Sequence, residues 1–333
     1  MTIKTIAGAY QTSIQSQVTI LGGAGFVGSS LVAKLDAAGY QVKVITRRRE
    51  SAKHLILLPN VQVIECNIAN TYGLKDALKG CDAVINLIGI LHESGKQSFE
   101  AMHHQLPRRL AQLCEELDIE RLIHMSALQA NSHAPSQYLR SKAAGEAAVS
   151  EFNKKLAITI FRPSVIFGRG DHFLNLFAML IKLSPFIPLA KPDAKFQPIW
   201  VEDVAQVFVN ALENTATYGK IYELGGPSVY TLRELVQKVM NIVGKQRPII
   251  GLNDQLSMAQ AWMMELMPIK LMSRDNVLSM QVDSVCYTAI APELAVTPTA
   301  MDVVVPAYLN NISPRGAYDG FRSAAGRAIN ARR

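Results

Sequence analysis

The chain has 333 residues, 49% hydrophobic and 18% charged, enough to bury a sizeable core and to exclude a disordered or fibrous chain. Thirty-four Lys and Arg against 27 Asp and Glu leave +7. Five Arg and one Asp from Arg315 onward carry +4 of that, leaving +3 elsewhere, so no nucleic-acid surface is implied.

The first apolar run, Val18 to Leu21, ends in glycines and reads as strand, tight turn and helix. Phe26, Val27, Leu31, Val32 and Leu35 mark the helix face, and Gly39 ends it. QVKVIT (41–46) and VQVIEC (61–66) follow as strands, then a short helix at 74–81 and a buried strand, DAVINLIGI (82–90). Residues 97–118 have helical period, although Pro107 must kink that helix or begin a new one. RLIHMSAL (121–128) is a fifth strand, 136–152 a helix, and KLAITIFRP (155–163) a sixth strand. This alternation predicts an α/β fold, a doubly wound parallel sheet of the Rossmann type, with ligands at the carboxyl ends of its strands.

After Pro163 the regularity weakens. Residues 201–214 are amphipathic, and Thr231 with Glu234 forms a capping box for a helix ended by Gly244. The expected organisation is an N-terminal extension (1–16), an NADP-binding Rossmann domain (17–165), a smaller, mostly helical C-terminal domain interleaved with it (166–314), and a basic tail (315–333). Six of the twelve methionines fall between Met258 and Met280. They read either as a plastic core helix or as an adaptable apolar surface for a lipid-like ligand, a partner or the membrane interface. The tail reads as a solvated basic segment or as a contact for acidic lipid.

The cysteines at 66, 81, 114 and 286 form no CxxC pair, which suits a reducing compartment. The histidines include no HExxH, and no metal site is expected. The first sixteen residues lack a signal-peptide layout, and no run of 18 apolar residues exists. The expected location is the cytoplasm, with peripheral contact on the inner face of the membrane through 251–283 and the tail.

Three constellations carry chemistry. In Gly22-x-x-Gly25-x-x-Gly28, glycine allows a tight turn, close approach to a pyrophosphate and close helix packing, and the helix N-terminus offers free N–H groups. At the end of the second strand, where NAD-selective sites place a carboxylate, stand Arg47, Arg48 and Arg49. A guanidinium binds a 2′-phosphate with paired hydrogen bonds, so NADP(H) is favoured over NAD(H), with Arg47 and Arg48 nearest the strand end. Tyr138 and Lys142 share a helix face, and Ser126 ends the preceding strand. A Lys ammonium near the phenol lowers its pKa, so that Tyr138 exchanges a proton with a substrate carbonyl that Ser126 orients.

These residues resemble the extended or atypical short-chain dehydrogenase/reductase superfamily over residues 17–245. VINLIGI, QYLRSKAAGE and FGRGDHFLN are similar to the NADPH-binding accessory subunits of respiratory complex I and their bacterial relatives, among them a protein connected with ubiquinone biosynthesis. The resemblance implies a pyrophosphate loop of Gly22, Gly25, Phe26, Val27 and Gly28. It implies a 2′-phosphate end at Arg47 and Arg48, an adenine neighbour at Asn67, and a cofactor-side turn at Leu87 and Gly89. It further implies an active-site trio of Ser126, Tyr138 and Lys142, and a nicotinamide neighbour at Pro163, Ser164 and Val165. One departure stands out: Gln105-Leu106-Pro107 occupies the place where related enzymes carry an Asn in an unbroken helix, which weakens a proton relay.

The first reading is a protein that holds NADP(H) within a quinone-linked respiratory or ubiquinone-biosynthetic complex. The alternative is an NADPH-dependent reductase of an apolar carbonyl or quinone-related substrate, with Tyr138 as proton donor. A sugar-nucleotide epimerase or dehydratase is the weaker alternative, because the second region has no evident diphosphate cluster.

Overall fold

The computed structural model describes residues 16–95, 97–267 and 271–309. Most of the expected extension (1–16) and the whole basic tail lie outside the described residues. Seven strands form one parallel sheet: β1 (Gln17–Leu21), β2 (Gln41–Thr46), β3 (Val61–Glu65), β4 (Ala83–Asn86), β5 (Arg121–Met125), β6 (Ala157–Pro163) and β7 (Lys220–Leu224). Their order is β7-β6-β5-β4-β1-β2-β3. The chain reverses its direction of travel between β1 and β4, and the crevice at that switch point is where a doubly wound sheet receives a ligand.

Alternating side chains of these strands supply two cores. Val18, Ile20, Val42, Val44, Ile85, Ile123 and Phe161 face α1 (Phe26–Ala37) and, further along the chain, Val201–Ala211. Leu21, Ile45, Val84, Leu122, Ile158 and Ile160 face α2 (Thr71–Leu78) and α3 (Leu106–Glu116). Because both faces are covered, the strands are apolar at almost every position. The fourth strand is shorter than its apolar run suggested. It ends at Asn86, whose side-chain oxygen accepts the Ile88 N–H (3.1 Å) and turns residues 87–90 out of the sheet.

The helix expected over 97–118 is two pieces. A π-helical turn, Glu100–Gln105, leads into α3, and Pro107 sits in the first turn of α3, where its missing N–H costs nothing. Next comes α4 (Gln137–Ser150), which crosses that π turn so closely that a Cβ on Gly145 would stand 1.9 Å from the His103 carbonyl oxygen.

A third core belongs to the second region. It gathers α5 (Leu174–Leu183), α7 (Leu232–Val243), with the expected capping box and a left-handed Gly244, and α10 (Met301–Leu309). In chain order α6 is the Val201–Ala211 helix already placed beside α1. A parallel strand pair, Ile187–Ala190 with Ile249–Leu252, is covered by α8 (Asp254–Glu265), and α9 (Arg274–Ser279) follows. Of the methionines between 258 and 280, Met258, Met272 and Met280 pack around Ala190, Ala261 and Val277, whereas Met263 and Met267 face outward. No helix among the described residues is long and apolar enough to cross a membrane.

Candidate functional site

The sixteen singled-out residues lie at or just beyond the carboxyl ends of β1 to β6 or on the adjoining helices α1 and α4, in spatial order across the crevice. Gly22 has φ +83°, which a side chain resists, and a Cβ there would meet the Leu87 carbonyl carbon at 3.2 Å. At Gly28 a Cβ would lie 2.2 Å from the Gly22 oxygen, so this helix start is possible only with glycine. Gly25 caps α1 with no side-chain hydrogen bond, which leaves the N–H groups of Phe26, Val27 and Gly28 for an incoming anion. Ser29 steadies the turn: its hydroxyl donates to the Gly25 oxygen (2.8 Å), and the His54 ring nitrogen lies 2.8 Å away. The glycine turn, the bare helix end and the close wall at Leu87 fit a dinucleotide pyrophosphate.

Beyond β2 the chain folds on itself. The hydroxyls of Thr46 and Ser51 donate to the Arg48 oxygen (3.1 and 2.6 Å). Arg47 and Arg48 are exposed, and neither has a carboxylate within ion-pair distance among the described residues. The nearby Glu65 carboxylate accepts the Arg49 N–H (3.1 Å). Asn67 lies beyond β3 and lines a cavity of about 460 Å³ with Cys66, Asn70 and Gly73; its side-chain oxygen accepts the Ala69 N–H (3.0 Å).

At the other end, Ser126, Tyr138 and Lys142 gather with Gly89. Lys142 is buried and donates to the Met125 oxygen (3.2 Å), and a Cβ on Gly89 would lie 3.1 Å from its Nζ. Burial lowers the Lys142 pKa to about 8 against the pull of Glu146. The Ser126 hydroxyl is buried with no hydrogen-bond partner, which is costly unless a ligand supplies one. No hydrogen bond reaches the Tyr138 hydroxyl from the described residues. Burial raises its pKa to about 12. The expected lowering of this pKa by Lys142 is not found: burial is the cause of the shift, and the phenol is neutral, a proton donor.

The sequence reading missed His103. It placed the departure from the relay pattern at Gln105-Leu106-Pro107, but the π turn brings His103, two residues earlier, against Tyr138. The rings meet edge to face, 5.6 Å between centroids, and Phe99 stacks on His103 at 5.3 Å while its edge also meets Tyr138 at 6.1 Å. His103 Nε2 accepts the Ile90 N–H (3.0 Å), so Nδ1 carries the proton and donates to Ser141 Oγ (2.8 Å), which in turn donates to the Tyr138 backbone carbonyl (2.7 Å). Burial first, then Lys142 and His124, push its pKa down to about 2. His124, bonded through Nδ1 to the Asn86 amide (3.1 Å), is likewise held neutral, at about 3, by burial and Lys142. His104, by contrast, faces outward and pairs with Glu100. Only the adjacent residue's offset by a π turn could have signalled this, and no 3.6-residue periodicity shows it.

Pro163, Ser164 and Val165 continue from β6. The Pro163 oxygen accepts the Leu128 N–H (3.0 Å) and the Val165 oxygen accepts the Ile199 N–H (3.0 Å). The Ser164 hydroxyl donates to the Ser284 oxygen (2.9 Å). Residues 284–286 thus pass over this end, held also by Gln197 and Gln129. A second missed residue is Asp275 of α9. Its carboxylate accepts the N–H groups of Gln137 (2.7 Å) and Tyr138 (2.9 Å), beside the Ser136 cap, and so closes the N-terminus of the helix that carries Tyr138 and Lys142.

Comparison with known proteins places this geometry. Residues 18–225 match the model of the NAD dependent epimerase/dehydratase family. The chain is 33% identical over 297 residues to NADH dehydrogenase (ubiquinone) 1 alpha subcomplex subunit 9, mitochondrial, of Arabidopsis thaliana, covering 86% of this chain and 73% of that one. The Mus musculus counterpart is 36% identical over 67% of this chain and 60% of its own length, so the chain spans less than two thirds of that relative. The ceramide reductase of Caulobacter vibrioides is 28% identical over 73% of this chain and 75% of its own. Among solved structures, a dTDP-glucose 4,6-dehydratase from Streptomyces venezuelae with NAD bound superposes with a TM-score of 0.70 at 19% identity, covering 92% of this chain and 98% of that one. A UDP-glucuronic acid 4-epimerase from Bacillus cereus in complex with NAD gives 0.66 at 19% identity over 92% and 99%. At that identity the structures speak for the fold.

Proposed function

The chain belongs to the NAD dependent epimerase/dehydratase family, the extended short-chain dehydrogenase/reductases, and we propose that it holds NADP(H) as a structural part of a quinone-linked assembly. Arg47 and Arg48 carry the choice of nucleotide: two exposed guanidiniums without carboxylate partners stand where a ribose 2′-phosphate ends. The pyrophosphate lies on Gly22, Gly25 and the first N–H groups of α1, and the adenine lies near Asn67. The nicotinamide end reaches Leu87, Gly89, Tyr138, Lys142 and Pro163. The names of the complex I relatives support a ubiquinone-linked respiratory setting, and we place the chain on the inner face of a membrane.

A reductase is the second reading, favoured by the partnerless Ser126 hydroxyl beside a neutral Tyr138 phenol and by the name of the Caulobacter relative. The nucleotide, when bound, supplies hydride. Ser126 then orients a substrate carbonyl by donating to its oxygen, Tyr138 gives that oxygen a proton, and Lys142 holds positive charge beside the site.

The test is a titration with NADPH and NADH. Arg47→Ala with Arg48→Ala should weaken NADPH by about 30-fold or more and leave NADH within about twofold; equal losses overturn the nucleotide choice. The release rate of bound NADPH, followed by fluorescence on dilution into excess NADP, separates the two roles. Release over hours fits a held nucleotide. Release at about 1 per second or faster fits an enzyme, and Tyr138→Phe should then abolish turnover.

A further inference from the structure

The outer side of the second region carries a surface that neither the cofactor site nor its family relationship uses. Helix α8 packs on the strand pair through its small residues, Ser257 and Ala261, both fully buried. Met258 packs inward beside them, whereas Leu256, Trp262 and Met263 are turned outward. Trp262, Met263, Leu266 and Met267 are among the most exposed apolar side chains of the described residues.

The register of α8 shows what lies beside them. Asp254 pairs with Lys191 (2.7 Å), and Gln260 donates to the Pro188 oxygen (3.1 Å). Six residues of helix advance about 9 Å, and three of strand about 10 Å, so α8 runs antiparallel to Ile187–Ala190. Continued past Pro188, that register points the last turn of α8 toward Phe186, and Leu183 ends α5 three residues earlier. Exposure across these six residues runs from 46% at Phe186 to 77% at Leu183. Scattered exposed leucines need no explanation, but a cluster assembled from two separate segments does.

The charges around the cluster say what covers it. Residues 172–192 and 244–253 contain no Asp or Glu and contain Lys182, Lys191, Lys245 and Arg247. The two acidic residues of α8 are neutralised within the chain, Asp254 by Lys191 and Glu265 by Arg274 (2.9 Å). Lys182, Lys245 and Arg247 have no carboxylate within ion-pair distance among the described residues. An apolar patch with a tryptophan, whose segments carry the unpaired cations Lys182, Lys245 and Arg247 against the single exposed Asp193 that follows Pro192, matches the interface of a bilayer with anionic headgroups.

We propose that this face, formed by the end of α5, Phe186 and the outer side of α8, seats the protein on an anionic lipid surface. The inference deepens the membrane-side placement above and rests on it, but it is independent of the nucleotide choice. The experiment is flotation of the full chain with vesicles of phosphatidylcholine containing phosphatidylglycerol, and with phosphatidylcholine alone. The expected result is binding to the mixed vesicles that weakens as salt rises. The Leu183→Ser/Met263→Ser/Leu266→Ser variant, unchanged in charge, should bind at least about tenfold more weakly. Lys182→Gln with Lys245→Gln should cost roughly fivefold per lysine. NADPH affinity in the same samples should be unchanged, which shows that the variants are folded. Full retention of vesicle binding by the serine variant overturns the proposal and leaves binding to the basic tail. So does a parent chain that ignores both vesicles, or one that self-associates in light scattering through this face. Equal loss of NADPH and NADH affinity in the Arg47/Arg48 variant, with vesicle binding intact, would refute only the nucleotide reading.

Discussion

Lys142 is a buried cation held beside the site at a cost to stability, and that cost can be measured. Its pKa falls from 10.5 to about 8, chiefly through burial. Below about pH 8 both the folded and unfolded chains carry the charge, and the folded one carries it out of water. Between about pH 8 and 10.5 the folded chain releases a proton that the unfolded chain keeps, so stability rises with pH across that window. A shift of that size corresponds to about 3 kcal/mol. Lys142→Met removes the charge and fills similar space, but forfeits the bond to the Met125 oxygen, worth roughly 1 kcal/mol. The nucleotide-free variant should therefore be more stable than the parent by about 2 kcal/mol at pH 7, and the gain should disappear by about pH 10. Urea unfolding of both proteins at the two pH values tests this. A variant less stable at pH 7, or a difference that does not change with pH, refutes the reasoning.

The two buried histidines predict a slope of the same sign in acid, with stability lost as pH falls. With folded pKa values of about 2 for His103 and 3 for His124, the unfolded chain binds protons below about pH 6.5 that the folded chain refuses, and each histidine costs about 1.4 kcal/mol per pH unit. His124→Gln should therefore lose about 3 kcal/mol less than the parent between pH 6.5 and 4.5, read as the shift of the urea midpoint. Gly145→Ala drives a methyl onto the His103 oxygen; a drop of roughly 3 kcal/mol is expected in thermal melts, and an unchanged melt would mean that α4 does not cross the π turn so closely. Asp275→Ala leaves two N–H groups of α4 without their acceptor and should cost about 1–2 kcal/mol by the same measurement.

The sheet was legible because its strands are buried on both faces and separated by helices of clear period. The glycine turn was legible because each glycine answers a contact, Gly22 with Leu87 and Gly28 with Gly22. Tyr138 and Lys142 could be paired by helical spacing alone. His103 could not, because a π turn breaks the spacing on which face assignments rest. Asp275 could not either, since it stands 137 residues from Tyr138 and acts through backbone N–H groups, which leave no trace in composition. The methionine segment was ambiguous for a different reason. Its average character is apolar throughout, and the division into an inner and an outer side is made by two small residues, Ser257 and Ala261.

The bond between Asp275 and the start of α4 gives the molecule a mechanical axis. Glu265 at the end of α8 holds Arg274 through both its backbone N–H (2.7 Å) and its guanidinium (2.9 Å). The next residue, Asp275, holds the first turn of the helix bearing Tyr138. Four hydrogen bonds thus connect the outer helix to the backbone at the start of α4 without passing through the central sheet. Helix α8 is therefore tied to the first turn of α4 through α9, by a route separate from the glycine turn at the start of α1.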